Sequence, residues 1–144
     1  MNEDIIKSCT LNCSQKVFGS FCETYGISLD IGLRMTQSLG GGLRAGEACG
    51  ALTGALLVVG LKYGSDDLAD GSQRRICDEQ AADFSKRFRA LNGSITCRDL
   101  LGIDTSLGSN RSIAKEKGLF RDICPGIIIK AVELLEELGY GDAE

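Results

Sequence analysis

Apolar residues recur at three- and four-residue spacing along most of the chain, and the runs end at glycines or polar turns. This spacing places apolar side chains on one face of a helix, and strand-like runs are few. Short connections between helices join antiparallel neighbours. We therefore predict an all-α fold, with residues 1–144 forming a single-domain bundle of about five main helices. The predicted helices are Asp4–Tyr25, Leu29–Leu39 with Ser28 as its N-cap, Glu47–Tyr63, Gly71–Leu91 and a last helix from near Cys124-Pro125 to Gly139, with a helical turn after Cys97 and a short helix at Arg111–Gly118.

The stretch from Gly40 to Gly64, GGGLRAGEACGALTGALLVVGLKYG, admits several interpretations. A phosphate-binding loop needs Lys and then Ser or Thr after its last glycine, but Glu47 and Ala48 follow Gly46 here. A membrane-spanning helix needs about 20 apolar residues. The apolar run is shorter, because Glu47 and Lys62 bound it. We therefore expect neither a nucleotide cofactor nor a membrane span.

The same stretch suits a helix in the centre of the core, because it is apolar around most of its circumference. Gly46, Gly50 and Gly54 recur at four-residue spacing and predict a stripe of small residues on one face. Each glycine costs a helix about 1 kcal/mol relative to alanine. A closely packed helix, a bound group or a second copy in a homo-oligomer must offset that cost.

Charge and composition exclude several classes of function. The formal net charge is −4 and basic residues do not cluster, so nucleic acid is not an expected partner. The chain has no histidine, which excludes a histidine base, a Cys–His dyad and histidine metal ligands. The N-terminus carries acids and no apolar signal segment. We therefore predict cytoplasmic localisation, where thiols stay reduced unless they are catalytic or bound to metal.

The chain has seven cysteines, and three of them fall at predicted helix starts. Cys49 lies in the first turn of its helix, Cys97 opens a short helix, and Cys124 is the predicted N-cap before Pro125. The partial positive charge of a helix N-terminus favours a thiolate over a thiol. These positions suit a nucleophile or a metal ligand, although a nearby Glu47 would raise the pKa of Cys49.

The other cysteines carry weaker signals. Cys9 and Cys13 lie four residues apart on the apolar face of the predicted first helix. There they can converge on one ligand or serve as small core residues. Cys22 and Cys77 have no positional signal and are predicted to be structural or at the surface. No pair has the CxxC spacing of a thioredoxin-like or zinc-ribbon motif, so any site must be assembled from distant segments.

Four segments together resemble the redox-active protein family named for its cysteine pattern and its CGAxxG motif. They are NCSQKVF at 12–18, GGLRAGEACGALTGALLVVGLKYG at 41–64, SITCRDLLG at 94–102 and the late Cys-Pro. The resemblance covers roughly residues 5–138. It implies a redox role. Members of the family are bacterial or archaeal, often from anaerobes, and many are encoded near transporters. Related segments are also joined to cytochrome-like proteins, for which an iron–sulfur site is proposed. The family's four cysteines fall on Cys13, Cys49, Cys97 and Cys124.

Three functional hypotheses remain open. In the first, the four cysteines converge on a thiolate site that binds an iron–sulfur cluster or another metal and serves electron transfer. In the second, the site holds no metal: either Cys49 attacks and Cys97 or Cys124 resolves, or the thiols carry sulfur or a metal ion in transit. In the third, the chain is a non-catalytic accessory module of a transporter or redox partner. The residues predicted to bind the cofactor in the first hypothesis are Cys13, Cys49, Cys97, Cys124, Gly50 and Gly54.

Overall fold

The computed structural model describes residues 2–143, which form helices joined by turns. Within this range no strand forms, and Ala48 and Thr96 make an isolated antiparallel bridge. The prediction of an all-α fold is confirmed. No helix between residues 2 and 143 is long and apolar enough to cross a membrane. The helices are α1 (Glu3–Ile6), α2 (Cys13–Gly19), α3 (Leu29–Thr36), α4 (Gly50–Tyr63), α5 (Ser72–Asn92), α6 (Cys97–Leu101), α7 (Asn110–Glu116), α8 (Leu119–Asp122) and α9 (Cys124–Glu137).

Helix α4 is the centre of the core, as its apolar sequence predicts. It packs against α2, α5 and α9, which surround it. Side chains on all four helices lose contact with solvent, including Val58 of α4, Phe18 of α2, Phe84 of α5 and Val132 of α9. Burying each of these side chains contributes about 1.5–3 kcal/mol by the hydrophobic effect. The other helices are arranged around this core.

The prediction of one continuous helix over Asp4–Tyr25 is wrong. Helix α1 ends at Ile6, α2 begins at Cys13, and a 3-10 turn over Cys22–Tyr25 follows. Asn12 caps α2, because its side chain accepts the N–H of Gln15 at 2.9 Å and its own N–H donates to the Gln15 side chain at 2.9 Å. This reciprocal pair replaces the helical bonds that a continuous helix would make there.

The prediction that the central helix begins at Glu47 is also wrong, because residues 47–49 pair with residues 95–97 around the Ala48–Thr96 bridge. The Cys49 N–H donates to the Ile95 carbonyl at 2.7 Å, and the Cys97 N–H donates to the Glu47 carbonyl at 2.6 Å. Helix α4 therefore starts at Gly50, and Cys49 is its N-cap. Gly46 has a φ of +67° and lies outside the helix, so the glycine stripe on α4 consists of Gly50 and Gly54.

The glycines before this segment end the preceding helix, as predicted, and then wind the backbone left-handedly. Gly41, Gly42, Leu43 and Arg44 all have φ between 59° and 64°. The turn is closed by the Glu47 N–H, which donates to the Gly42 carbonyl at 2.9 Å. Left-handed conformations strain non-glycine residues, so Leu43 and Arg44 store strain beside the bridge.

The remaining predicted helices are close to those observed. Ser28 caps α3 as predicted, although the helix proper ends at Thr36 and continues as a 3-10 turn. Helix α5 ends before Gly93, which has a φ of +89°. Helix α9 begins at Cys124, so the prediction that Cys124 is the N-cap is off by one residue; Ile123 occupies that position.

Candidate functional site

The antiparallel bridge brings Cys49 and Cys97 to the same end of the bundle. Ala48 and Thr96 pair directly, and the two cysteines are the next residue in each segment. Thr96 caps α6 through its side chain, which accepts the N–H of Asp99 at 3.4 Å. Cys49 and Cys97 are thus held at the starts of α4 and α6 by backbone hydrogen bonds that do not depend on either thiol.

Close packing between α2 and α4 places Cys13 next to this end of α4. A Cβ atom at Gly50 would lie 3.3 Å from the Cys13 Cβ and 3.0 Å from the Ser14 nitrogen. At Gly54 it would lie 2.8 Å from the Ser14 carbonyl oxygen. The glycine stripe therefore serves a contact within one chain, because only glycines allow α2 to approach this closely.

Cys124 completes the group at the start of α9, which packs against both α2 and α4. The Cys13 and Cys124 thiols influence each other's ionisation: Cys124 raises the pKa of Cys13, and Cys13 lowers the pKa of Cys124. All four predicted cysteines line one cavity of about 550 Å³, and Gly50 lines it too. Gly54 is not part of that lining. Four segments that are distant in the sequence thus place thiols around a common space.

The other three cysteines occupy different environments. Cys9 is exposed, lies in the connection between α1 and α2, and lines the same cavity. The prediction that it shares a helical face with Cys13 is wrong, because the helix is interrupted between them. Cys22 is fully buried in the core, and Cys77 is half-buried on α5 away from the cavity. These two fit the predicted structural or surface role.

Cys124 is the cavity thiol whose anion is favoured. Interaction with the Cys13 thiol lowers the pKa of Cys124, and the nearby Lys16 ammonium lowers it further, while burial opposes both effects. The same interaction, together with burial, raises the pKa of Cys13 well above its usual value. Of the two thiols, Cys124 therefore gives up its proton more easily.

Cys49 and Cys97 behave in the opposite way. Burial raises the pKa of Cys49 to about 11. It raises the pKa of Cys97 to about 11 as well, although the positive charge of Arg111 acts against this shift. The expectation that these helix starts favour a thiolate is not met, because loss of hydration outweighs the helix charge. Glu47 is not the cause, since its carboxylate pairs with Arg98 at 2.6 Å.

The structure adds basic residues that the sequence reasoning missed. Lys7, Lys16, Arg111 and Arg121 all line the cavity with the thiols. The position of Lys16 could have been predicted, because it follows Cys13 by three residues and residues at that spacing share a helix face. No local pattern identified the others, because folding brings them to the cavity from separate segments.

The donor set of the site suits a metal or an iron–sulfur cluster, because four thiols face one cavity. As the structure places them, however, the side chains are not arranged as a set of metal ligands. Among residues 2–143, no three side chains of the ligating types come close enough together to hold a metal ion. Among the four thiols, Cys13 and Cys124 interact most strongly, since each is the largest cause of the other's pKa shift.

Comparison with protein families gives one match. The family model described as "Putative redox-active protein (C_GCAxxG_C_C)" matches residues 11–138, which include all four cysteines of the cavity that the sequence analysis selected. No curated protein and no solved structure matches the chain.

Proposed function

Because the chain belongs to the C_GCAxxG_C_C family of redox-active proteins, we propose that Cys13 and Cys124 are a two-electron thiol couple that exchanges with an external disulfide. The observation that carries this proposal is that Cys13 and Cys124 line the same cavity and shift each other's pKa, so that the two thiols are near each other. Two neighbouring thiols on packed helices can meet to form a disulfide. The cavity gives a second sulfur compound access to them.

The exchange proceeds in two displacements. The Cys124 thiolate attacks one sulfur of the external disulfide, whose S–S bond breaks, so that a mixed disulfide forms and one thiolate leaves and takes a proton from solvent. The Cys13 thiol then loses its proton to solvent and attacks the Cys124 sulfur, and the second external thiol leaves. The two protein thiols are oxidised to one disulfide, and the external disulfide is reduced to two thiols.

The electrostatics of the cavity support Cys124 as the attacking residue. The thiolate is the nucleophile in such exchange, and Cys124 is the cavity thiol whose pKa is lowered. Cys49, the attacking thiol predicted from the sequence, keeps its proton at neutral pH because burial raises its pKa to about 11. The role assigned to Cys49 stays a prediction, and this mechanism requires it only as part of the cavity wall.

A second candidate function rests on the grouping of all four thiols. Cys13, Cys49, Cys97 and Cys124 would hold an iron–sulfur cluster or another metal, which would supply one-electron transfer or a structural link. The donor chemistry fits, and all four line one cavity. Their side chains would have to draw together, since no three form a ligand set as they stand within residues 2–143. The thiol couple needs only two neighbouring sulfurs to meet and is better supported.

One anaerobic experiment distinguishes the two functions. Protein purified under nitrogen is analysed for iron, zinc and acid-labile sulfide, and its thiols are then counted across a series of dithiol–disulfide redox buffers. We expect metal-free protein that reversibly loses two thiols. Cys13→Ser and Cys124→Ser abolish that loss, whereas Cys77→Ser, a half-buried cysteine outside the cavity, leaves it unchanged.

Either of two results would contradict the proposal. Stoichiometric iron and sulfide with visible absorbance, lost on substitution of any of the four cysteines, would establish the cluster instead. A reversible loss of two thiols that persists in Cys124→Ser would move the couple to another pair.

A further inference from the structure

The cavity that holds the thiols carries an unbalanced positive charge. Four basic side chains line it, and no Asp or Glu does among the described residues. The chain as a whole has a formal net charge of −4, so this lining differs in sign from the rest of the protein. The basic side chains are Lys7, Lys16, Arg111 and Arg121.

Two of these charges are compensated by neighbours just outside the lining. Lys7 pairs with Glu3 at 3.6 Å, and Arg121 pairs with Asp122 at 2.9 Å. Both pairs are exposed, and pairs of this kind are weak.

Lys16 and Arg111 are different, because neither makes an ion pair with any residue between 2 and 143. Arg111 is held over the Phe120 ring, with its guanidinium carbon 5.2 Å from the ring centre. A guanidinium over a ring can still donate hydrogen bonds from its N–H groups to a planar anion. Lys16 is one turn along α2 from Cys13, the partner of Cys124. The two cations thus lie among the thiols and have no acidic partner within residues 2–143.

Much of the rest of the lining is apolar, beside the polar residues Ser8, Thr10 and Asn12. Leu100, Leu101, Phe120, Ile127 and Ile128 contribute to it, and the volume of about 550 Å³ lies within the range of sites for small organic ligands. A bare inorganic anion would leave most of this apolar surface uncovered. An organic molecule with carboxylates at its ends and a sulfur–sulfur bond in its middle matches the charges, the apolar wall and the thiols together.

We propose that the oxidant of this site is a small organic disulfide that carries carboxylates, bound through Lys16 and Arg111 so that its sulfur–sulfur bond meets Cys124. This inference rests on the thiol couple proposed above and names its substrate class. The electron balance is unchanged: the disulfide gains two electrons and leaves as two carboxylate-bearing thiols, while Cys13 and Cys124 become a disulfide. Charge-assisted hydrogen bonds from the two cations hold the carboxylates.

The test compares three disulfides of similar size and different charge: dithiodipropionate, which is anionic, bis-hydroxyethyl disulfide, which is neutral, and cystamine, which is cationic. The rate at which each disulfide oxidises the reduced protein is measured by stopped flow. Each rate is then divided by the rate at which the same disulfide reacts with free mercaptoethanol, which corrects for the intrinsic reactivity of the disulfide. We expect the anionic disulfide to react at least about tenfold faster than the cationic one at low salt, because electrostatic steering changes association rates by that order or more. The advantage shrinks as salt is added.

Variants identify the charges responsible. Lys16→Gln combined with Arg111→Gln removes the two unpaired cations and is expected to remove most of the preference for the anionic disulfide. The matched control is a double variant with the same loss of charge on exposed positions outside the cavity, Lys86→Gln with Lys130→Gln. It is expected to keep the preference.

A second readout does not depend on disulfide exchange. Alkylation of Cys124 by anionic iodoacetate and by neutral iodoacetamide is followed by peptide mass spectrometry, and the ratio of the two rates is compared between the wild type and the two double variants. If the rate ratio of iodoacetate to iodoacetamide is high and falls only in the Lys16–Arg111 variant, the anion site is supported. If, in addition, no disulfide oxidises the protein, the proposed thiol couple is refuted while the anion site stands. Equal normalised rates for all three disulfides, with an iodoacetate ratio that Lys16 and Arg111 do not affect, would overturn the substrate class and leave the couple standing.

Discussion

The contact between α2 and α4 can be tested by adding one methyl group. Gly54→Ala places a Cβ atom 2.8 Å from the Ser14 carbonyl oxygen and 3.1 Å from the Ser14 Cα. Both neighbours belong to the backbone, so no side chain can rotate away. Helix α2 must therefore move away from α4. That movement would carry Cys13 away from the cavity as well.

Gly60 of the same helix provides the matched control, because a Cβ atom there would meet nothing within 4 Å. Replacing glycine by alanine inside a helix stabilises it by about 1 kcal/mol, and this gain applies to both positions. Overpacking costs about 1–3 kcal/mol, and it applies to Gly54 alone. We therefore expect Gly60→Ala to be about 1 kcal/mol more stable than wild type, and Gly54→Ala to be about 1–3 kcal/mol less stable than Gly60→Ala.

The assay is urea unfolding followed by far-ultraviolet circular dichroism, with a reductant present to keep all thiols reduced. The two variants are compared with wild type by linear extrapolation, and equal slopes confirm that the same surface unfolds. If Gly54→Ala gains as much stability as Gly60→Ala, the close approach of α2 is refuted. The explanation for the glycine stripe would then fail too.

Two further predictions follow from backbone strain and from thiol ionisation. Arg44→Gly removes strain at a φ of 59° and is expected to raise the free energy of unfolding by about 0.5–1 kcal/mol, measured by the same urea titration; a loss of stability would contradict the strain. Alkylation of Cys124 is expected to rise with pH through a midpoint below 9.0, whereas Cys49 and Cys97 react only as pH approaches about 11, because their thiols must first ionise. Mass spectrometry of each cysteine peptide across the pH range measures this order, and a single common midpoint would refute it.

Local patterns in the sequence predicted most of the helices. Periodic apolar residues and glycine stops located α3, α5 and α9 to within a few residues. The break before Cys13 could also have been predicted, since Asn12 and Gln15 have the spacing of a capping box. The apolar spacing continues across the break, however, and therefore suggested one continuous helix. Here a local hydrogen-bonding preference overrode the hydrophobic pattern.

Pairings between distant segments could not be predicted in this way. The start of α4 is set by the bridge between Ala48 and Thr96, and nothing near Ala48 in the sequence shows that its partner is Thr96. The grouping of four thiols came from the family resemblance, because their spacing forms no motif. The order in which the thiols ionise depends on burial and on the interaction between Cys13 and Cys124, both of which exist only in the folded chain.

Peptide mapping of the oxidised protein shows whether Cys13 and Cys124 form the redox couple. Reduced protein prepared under nitrogen is treated with one equivalent of a small disulfide, remaining thiols are blocked at low pH, and the digest is analysed by mass spectrometry without reduction. We expect one cross-linked pair of peptides, joining Cys13 to Cys124, that disappears on reduction. A cross-link between any other two cysteines, or no cross-link at all, would contradict it.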